Sequence, residues 1–258
     1  MFGSMLSDLI RDARSVIYQV DPRLVRIFSR GFPSVEFVPR WQPDEIRSRG
    51  FDLVMTAGSL GYVYRENSSN FPRVPYLCAD ATIVSRWKSR LGAPQKFKVG
   101  ISWRGGGSKQ MSRARRSIDL DQLVPIFAKD SCSFVSLQYG NVSDEIKEFN
   151  TTHAKSIVEF PQEAVHDFEE LAGLIEALDL VVSVQNTTVH ICGALGKTCL
   201  TMVPCIPEWR YGLSSNGMAW YSSIELFRQT RLGEWAEVIN NISTRVEIEI
   251  ARKMGRLI

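Results

Sequence analysis

The architecture of this chain follows from the residues Val181-Val-Ser-Val-Gln-Asn-Thr-Thr-Val-His-Ile-Cys-Gly-Ala-Leu-Gly-Lys197. The unbroken apolar run from Leu180 to Val184 is typical of a parallel strand that is covered on both faces. Asn186, Thr187 and Thr188 are residue types that cap helix N termini, so a helix is predicted to begin there. A further apolar run, Cys199 to Val203, predicts the next strand. The whole segment is therefore a strand–helix–strand unit of an α/β fold.

The turn between this strand and this helix is a candidate ligand site. A helix N terminus carries unpaired backbone N–H groups and a partial positive charge, which together favour a phosphate group. Open α/β sheets also bind their ligands beyond the carboxyl ends of their strands. The alternative is an ordinary structural unit without a ligand, in which His190 is a satisfied core or surface histidine.

Strands and helices alternate along the rest of the chain. Apolar runs predict strands at 15–20, 35–38, 51–55, 98–103, 134–138, 157–158, 180–184, 199–203 and 224–227. A linker-like segment, Gly92-Ala-Pro-Gln95, divides this pattern into two series. The predicted fold is α/β, with two doubly wound domains, residues 1–95 and 96–258, that face each other across a cleft.

The composition excludes several classes of function. With 31 basic and 28 acidic residues among 258, the chain is too evenly charged for nucleic acid to be its main partner. No apolar run approaches the roughly 20 residues that span a bilayer, and no signal peptide is visible, which predicts a cytoplasmic protein. The five cysteines include no C-x-x-C pair and the three histidines are not spaced as ligands. Reduced thiols and no metal site are therefore expected.

A glycine-rich, basic loop is the second candidate site. It follows a predicted strand and reads Ser102-Trp-Arg-Gly-Gly-Gly-Ser-Lys-Gln-Met-Ser-Arg-Ala-Arg-Arg116. Glycines let the backbone approach a ligand, and guanidinium groups pair with phosphate oxygens. Arg116 is the best candidate for phosphate contact because it stands closest to the next helix, and Ser102, Trp103 and Arg104 are candidate binding residues. The spacing is not that of a P-loop, and the alternative is a solvated loop.

Two further segments place polar or aromatic residues at strand ends. Gln138 is predicted to point into the cleft and read the edge of a nucleobase, unless it is an ordinary polar residue at the end of a strand. The loop that begins at Pro204 carries Trp209 and Arg210, which are predicted to stack on or clamp a sugar or a base. The alternative for Trp209 is that its ring covers the domain edge.

Together these segments resemble one family of proteins. The set comprises Lys98 to Trp103, the basic loop to Arg116, Phe134 to Gly140, Ala172 to Lys197 with its pattern His190-x-x-Gly-Ala-Leu-Gly-Lys197, and Pro204 to Tyr211. It looks like the bacterial glycosyltransferases related to the lipopolysaccharide heptosyltransferases, many of which are fused to tetratricopeptide repeats. The resemblance covers about residues 2 to 245. It implies the GT-B fold of two Rossmann-like domains.

The resemblance also implies roles for individual residues. The N-terminal domain would bind the acceptor and the C-terminal domain a nucleotide-diphosphate sugar, with no metal ion and no cofactor. Arg116, Thr187, Thr188 and His190 would lie near the diphosphate, with His190 and Arg116 as the catalytic residues. The other candidate donor-binding residues are Ser102, Trp103, Arg104, Gln138, Gln185, Asn186, Pro204, Trp209 and Arg210.

Two features depart from the family pattern. Gln185 stands where related enzymes often carry Asp, and an amide cannot act as a carboxylate. The first strand and the Gly-rich, acidic turn that usually precede a segment like Met1 to Ile10 are missing from the sequence. The N-terminal domain is therefore expected to lack its first strand and to expose an edge and apolar surface, which predicts marginal solubility or self-association.

Three functions agree with these observations. The first is a metal-independent, inverting glycosyltransferase that moves a sugar from a nucleotide-diphosphate donor to a glycan, lipid or protein acceptor. The second is a degenerate, non-catalytic module that binds a nucleotide or nucleotide sugar, as Gln185 and the missing strand indicate. The third and weakest is a nucleotide-sugar epimerase of the same two-domain type.

Overall fold

The computed structural model describes residues 1–39, 43–92, 95–106 and 115–255. Its helices, numbered in chain order, are α1 Leu6–Asp12, α2 Val25–Gly31, α3 Pro43–Ser48, α4 Leu60–Tyr64, α5 Ala81–Arg90, α6 Val124–Phe127, α7 Ser143–His153, α8 Glu163–His166, α9 Phe168–Ala177, α10 Thr187–Leu195 and α11 Ala236–Lys253. Its strands are β1 Ile17–Gln19, β2 Glu36–Val38, β3 Phe97–Ser102, β4 Cys132–Ser136, β5 Ile157–Val158, β6 Leu180–Val184, β7 Cys199–Val203, β8 Gly217–Met218 and β9 Tyr221–Arg228. Short 3-10 helices cover Phe2–Met5, Pro22–Leu24, Ser68–Asn70, Leu120–Leu123 and Trp209–Tyr211.

Seven strands form one sheet in the order β5-β4-β3-β6-β7-β9-β8. Neighbouring strands are parallel except for β8 and β9, which are antiparallel. All five residues of β6 are buried, and so are all five of β7, because both faces of the sheet are covered. The predicted α/β class is confirmed, with a mostly parallel sheet.

The core has two parts, one on each face of this sheet. Leu180, Val182 and Val184 of β6 belong to a cluster that includes Ile239 of α11. Val181 points the other way and belongs to a second cluster, which includes residues of α9 and α10. Burying one such side chain stabilises the fold by about 1.5–3 kcal/mol, so the alternation along β6 holds helices against both faces.

The N-terminal residues pack on one of these faces. The strands β1 and β2 pair in parallel and form a two-stranded sheet of their own. Leu6 of α1 and Phe28 of α2 belong to the same hydrophobic cluster as the residues of α9 and α10. The N-terminal segment thus shares a core with the large sheet. The domain bounds 1–95 and 96–258 stay a prediction.

One predicted strand is wrong. Residues 51–55 form no strand, and Leu53 and Val54 are 73% and 61% exposed. Among the described residues, the small sheet contains β1 and β2 alone. A strand forms where a neighbouring strand completes its backbone hydrogen bonds, so the apolar composition of residues 51–55 was not enough to make them a strand.

The longest helix, α11, is amphipathic. Val238, Ile239 and Ile242 are buried, whereas Glu237 and Asn240 are exposed. In the part of the chain that the structure describes, every helix is too short or too polar to cross a membrane.

Candidate functional site

The candidate site lies where the carboxyl ends of β3, β4 and β6 meet. The strand β3 is flanked by β4 on one side and by β6 on the other. The chain runs from β3 toward β4 and from β6 toward β7, so its connections diverge between β3 and β6. Such a switch point leaves a crevice in which open α/β sheets bind their ligands.

Gln138 ties the loop after β3 to the end of β4. Its Oε1 accepts hydrogen bonds from Ser102 Oγ at 3.0 Å, from the Trp103 N–H at 2.9 Å and from the Arg104 N–H at 2.8 Å. Its Nε2 donates to the Tyr139 carbonyl at 3.1 Å. The buried amide therefore holds the loop in place. The predicted reading of a nucleobase edge would require these bonds to break.

Asn186 fixes the N terminus of α10 and joins it to the same network. Its Oδ1 accepts from the Thr188 N–H at 3.0 Å, which caps the helix, and from Ser183 Oγ at 3.1 Å. Its Nδ2 donates to Ser102 Oγ at 2.7 Å. Thr187, beside the cap, is exposed. The side chain of Asn186 thus links the ends of β3 and β6, and the first turn of α10 faces the crevice between them.

Gln185 carries a buried donor that has no partner among the described residues. Its Oε1 accepts from the Glu208 N–H at 3.2 Å, which connects the end of β6 to the loop after β7. Its Nε2 is buried and makes no hydrogen bond to any described residue. An unsatisfied buried donor costs about 1–3 kcal/mol. Such a group is explained most simply by a ligand or water that binds there.

Glu208 forms ion pairs with two arginines beside the turn between β6 and α10. Arg116 Nη1 is 3.3 Å from Glu208 Oε1, and Arg210 Nη2 is 3.6 Å from Glu208 Oε2. Arg116 also donates to the Gly106 carbonyl. A Cβ on Gly105 would come within 2.6 Å of the Cβ of Arg116, so the close approach requires glycine. Two guanidinium groups around one carboxylate leave a net positive charge, which favours an anionic ligand.

Other basic residues of the predicted loop have different surroundings. Arg104 Nη2 is 2.6 Å from Glu145 Oε2, so this guanidinium is paired at the rim of the crevice. Lys109 and Arg113 lie outside the described residues.

His190 lies in the first turns of α10 beside two tyrosine hydroxyls. Its Nδ1 is 3.4 Å from Tyr221 Oη, which is 3.4 Å from Tyr76 Oη. Burial lowers the pKa of His190 from 6.5 to about 3, and the positive charge of Arg210 acts in the same direction. The imidazole is therefore neutral at pH 7. It supplies a hydrogen-bonding group to the site and no charge.

Tyr221 can lie against His190 because residue 193 is glycine. A Cβ on Gly193 would come within 2.2 Å of the Tyr221 ring. Burial raises the pKa of Tyr221 well above its ordinary value of 10.0, so the hydroxyl keeps its proton. When that hydroxyl donates to Nδ1, the imidazole proton is on Nε2.

The structure brings most of the predicted residues together, and Trp103 and Pro204 are among those that are buried. Trp103 is fully buried, and its Nε1 donates to Glu145 Oε1 at 3.1 Å. Pro204 is buried as well. The binding roles of these two residues stay predictions. Eight other predicted residues are joined by hydrogen bonds or ion pairs, either to one another or to Glu208. They are Ser102, Arg104, Arg116, Gln138, Gln185, Asn186, Thr188 and Arg210.

Three site residues were not predicted. They are Glu145, Ser183 and Glu208. Ser183 had a signal, since it is the one polar residue in the apolar run of β6. Glu208 had none that local sequence can show, because its partners Gln185 and Arg116 lie 23 and 92 positions away along the chain.

A metal site is not apparent in the described part of the chain. No three His, Cys, Asp or Glu side chains there are grouped so as to hold a metal ion. The five cysteines are free thiols. The absence of a metal or cofactor from the reaction stays a prediction.

Comparison by sequence gives one distant relative. No protein-family model matches the chain. Protein FlbA of Caulobacter vibrioides is 27% identical over 266 residues, an alignment that covers 95% of this chain and 43% of that protein. The chain thus spans less than half the length of this relative.

Comparison by structure gives several matches to glycosyltransferases. The Escherichia coli ADP-heptose lipopolysaccharide heptosyltransferase II matches with a TM-score of 0.63 and 12% identity, over 97% of this chain and 93% of that one. The family 9 glycosyl transferase of Veillonella parvula gives 0.60 and 9%, over 100% and 86%. The E. coli heptosyltransferase WaaC, bound to ADP-2-deoxy-2-fluoro heptose, gives 0.54 and 10%, over 96% and 94%. At such low identity these matches establish a shared fold and nothing further.

Proposed function

We propose that this chain is a glycosyltransferase that moves a sugar from a nucleotide-diphosphate donor to an acceptor hydroxyl without a metal ion. Its fold is that of the heptosyltransferase structures. A shared fold supports many functions, so the weight of the proposal rests on the site.

The N terminus of α10 at the switch point of the sheet carries the proposal. Its first turn offers N–H groups without intrahelical acceptors, and Asn186 holds that turn in the crevice. The buried Nε2 of Gln185 lacks a partner among the described residues. Arg116 and Arg210 bring positive charge to the adjacent loop. A diphosphate would bind the helix N–H groups and balance this charge, and the Gln185 amide would donate to a sugar or phosphate oxygen.

The reaction then follows from the place where charge develops. The acceptor oxygen bonds to the anomeric carbon from the face opposite the diphosphate, which inverts that centre. The bond from this carbon to the diphosphate oxygen breaks, and its electron pair stays on the leaving diphosphate. The acceptor proton passes to water or to a basic group. The dipole of α10 and the guanidinium of Arg116 stabilise the new negative charge, and neutral His190 contributes a hydrogen bond.

The proposal is tested by a thermal-shift panel with UDP, GDP, ADP, CMP and dTDP, with and without magnesium. A ligand that binds only the folded chain raises the melting temperature by mass action. We expect one diphosphate to raise it and magnesium to change nothing. Arg116→Ala should weaken the shift, while Arg115→Ala, at the exposed neighbouring position, should retain it. No shift with any nucleotide would overturn the proposal.

A non-catalytic nucleotide-sugar binding module is the second candidate. It is favoured by the Gln185 amide, whose Oε1 is already bonded to the Glu208 N–H, and by the low pKa of His190, about 3, which makes the imidazole a weak proton acceptor. Neither side chain then supplies a carboxylate or a strong base. Nucleotide binding without transfer to any acceptor would favour this module. Free nucleotide together with a new sugar epimer would instead indicate an epimerase.

A further inference from the structure

An aromatic pocket opens between the N-terminal residues and the loop after β7. It is open to solvent, has a volume of about 480 Å³ and is lined by the rings of Phe2, Tyr62, Phe71, Trp209 and Trp220. Its volume is within the range of about 300–1,000 Å³ that is typical of small-molecule sites. Trp209 also belongs to the predicted donor site, and the other four rings do not.

Four of the rings contact one another, and the rings of Tyr62 and Trp209 are accessible. Phe71 and Trp220 meet edge to face at 4.9 Å, and Phe2 meets Trp220 in the same way at 6.1 Å. Phe2 is stacked on Trp209 at 6.5 Å. Tyr62 and Trp209 nevertheless remain 89% and 64% exposed. The pocket therefore offers two accessible aromatic rings on an ordered aromatic base.

The charges of the pocket disfavour an anionic ligand. Arg65 lines the wall, but its side chain is only 3% exposed and its Nη1 is 2.8 Å from Asp8 Oδ2. Its guanidinium also donates to the carbonyls of Ser4 and Tyr64, at 2.9 and 2.7 Å. The other charged residue of the lining is Glu66, which is exposed. Among the lining residues the accessible charge is thus a carboxylate, which accepts hydrogen bonds from hydroxyls. The Arg210 guanidinium lies 5.8 Å from the centre of the Trp209 ring and is paired with Glu208 Oε2 at 3.6 Å.

The pocket and the crevice at the switch point are bordered by the same loop after β7. Trp209 forms part of the pocket wall. The preceding residue, Glu208, is bonded to Gln185 through its backbone and to Arg116 through its carboxylate. A ligand in the pocket therefore lies against the same loop that borders the proposed donor site.

We propose that this pocket binds an uncharged pyranose ring, as the acceptor of the proposed transfer. The face of an aromatic ring carries partial negative charge, and the C–H groups on one face of a pyranose present partial positive charge to it. Trp209 and Tyr62 supply such faces, and Glu66 accepts from the hydroxyls at the ring edge. An apolar chain would desolvate Glu66 without hydrogen bonds in return. The assignment rests on the proposed function, since it names the acceptor of that reaction.

The test measures binding of methyl α-D-glucopyranoside, methyl α-D-galactopyranoside and methyl α-D-mannopyranoside to the full chain by saturation-transfer NMR. Glucose 6-phosphate is the charged probe and N-acetylphenylalaninamide the apolar one. We expect at least one glycoside to bind, with saturation strongest at its ring C–H protons. Tyr62→Ala and Trp209→Ala should each weaken binding about two- to tenfold. Leu213→Ala, at a highly exposed position outside the pocket lining, is the control and should leave binding unchanged. Glu66→Gln should weaken binding.

Several results would overturn the proposal. These are no binding of any glycoside, equal binding by the Tyr62→Ala and Trp209→Ala variants, and preference for the phosphate or for the apolar amide. The nucleotide panel separates the two proposals. A nucleotide shift without glycoside binding rejects the pocket assignment alone. Glycoside binding at these rings without any nucleotide shift supports a sugar pocket and rejects the transferase.

Discussion

Replacing Gln138 by leucine tests how the candidate site is held together. Gln138→Leu nearly preserves the volume of the side chain and removes the oxygen that accepts from Ser102 Oγ, the Trp103 N–H and the Arg104 N–H. The first two bonds are buried, whereas the third is only partly buried and its donor can turn to water. Each buried donor left without a partner costs about 1–3 kcal/mol, so two donors lower the free energy of unfolding by about 2–6 kcal/mol.

Urea denaturation followed by circular dichroism measures this loss. An unchanged m value shows that the same amount of structure unfolds in each variant. Gln95→Leu is the matched control, because Gln95 is exposed and its replacement should change stability by less than about 0.5 kcal/mol. If Gln138→Leu were no more destabilising than Gln95→Leu, the three hydrogen bonds would not hold the loop and the reasoning would be refuted.

Three further predictions concern α10 and its neighbours. The pKa of His190 is 6.5 in its ordinary state and about 3 when folded, so its stabilising effect is complete above pH 6.5 and is lost as the pH falls toward 3. His190→Gln should therefore reduce the slope of the unfolding free energy against pH in that window by about 1.4 kcal/mol per pH unit. Urea titrations at several pH values measure this slope. An unchanged slope would contradict the burial of the imidazole. Gly193→Ala should lower the free energy of unfolding by about 1–3 kcal/mol, because the new Cβ would meet the Tyr221 ring. Gly61→Ala is the control, since its Cβ would meet open space and its stability should not change. Thermal melts of both variants test this difference. Asn186→Ala should lose about 1 kcal/mol as a missing helix cap and weaken the nucleotide thermal shift, and unchanged values of both would exclude its role.

Local sequence was enough to identify the repeating α/β pattern. The runs Leu180–Val184 and Cys199–Val203 are apolar at almost every position because both faces of their strands are buried. Asn186 caps α10, as its residue type predicts, because its oxygen can reach the Thr188 N–H two residues away. Residues 51–55 carry a similar apolar signal and form no strand. A strand also needs a partner, and that partner is not encoded within the run itself.

The same local signals identified which side chains stand at the strand ends, but packing settled how those side chains are used. The Gln138 amide oxygen accepts its hydrogen bonds from the end of β3 and the loop after it, 34 to 36 positions away. Trp103 lies in the core, and His190 loses its charge beside Tyr221. Hydrogen-bond satisfaction and the desolvation of an ionisable group depend on residues that are distant along the chain. They are properties of the folded surroundings, so no reading of neighbouring residues contains them.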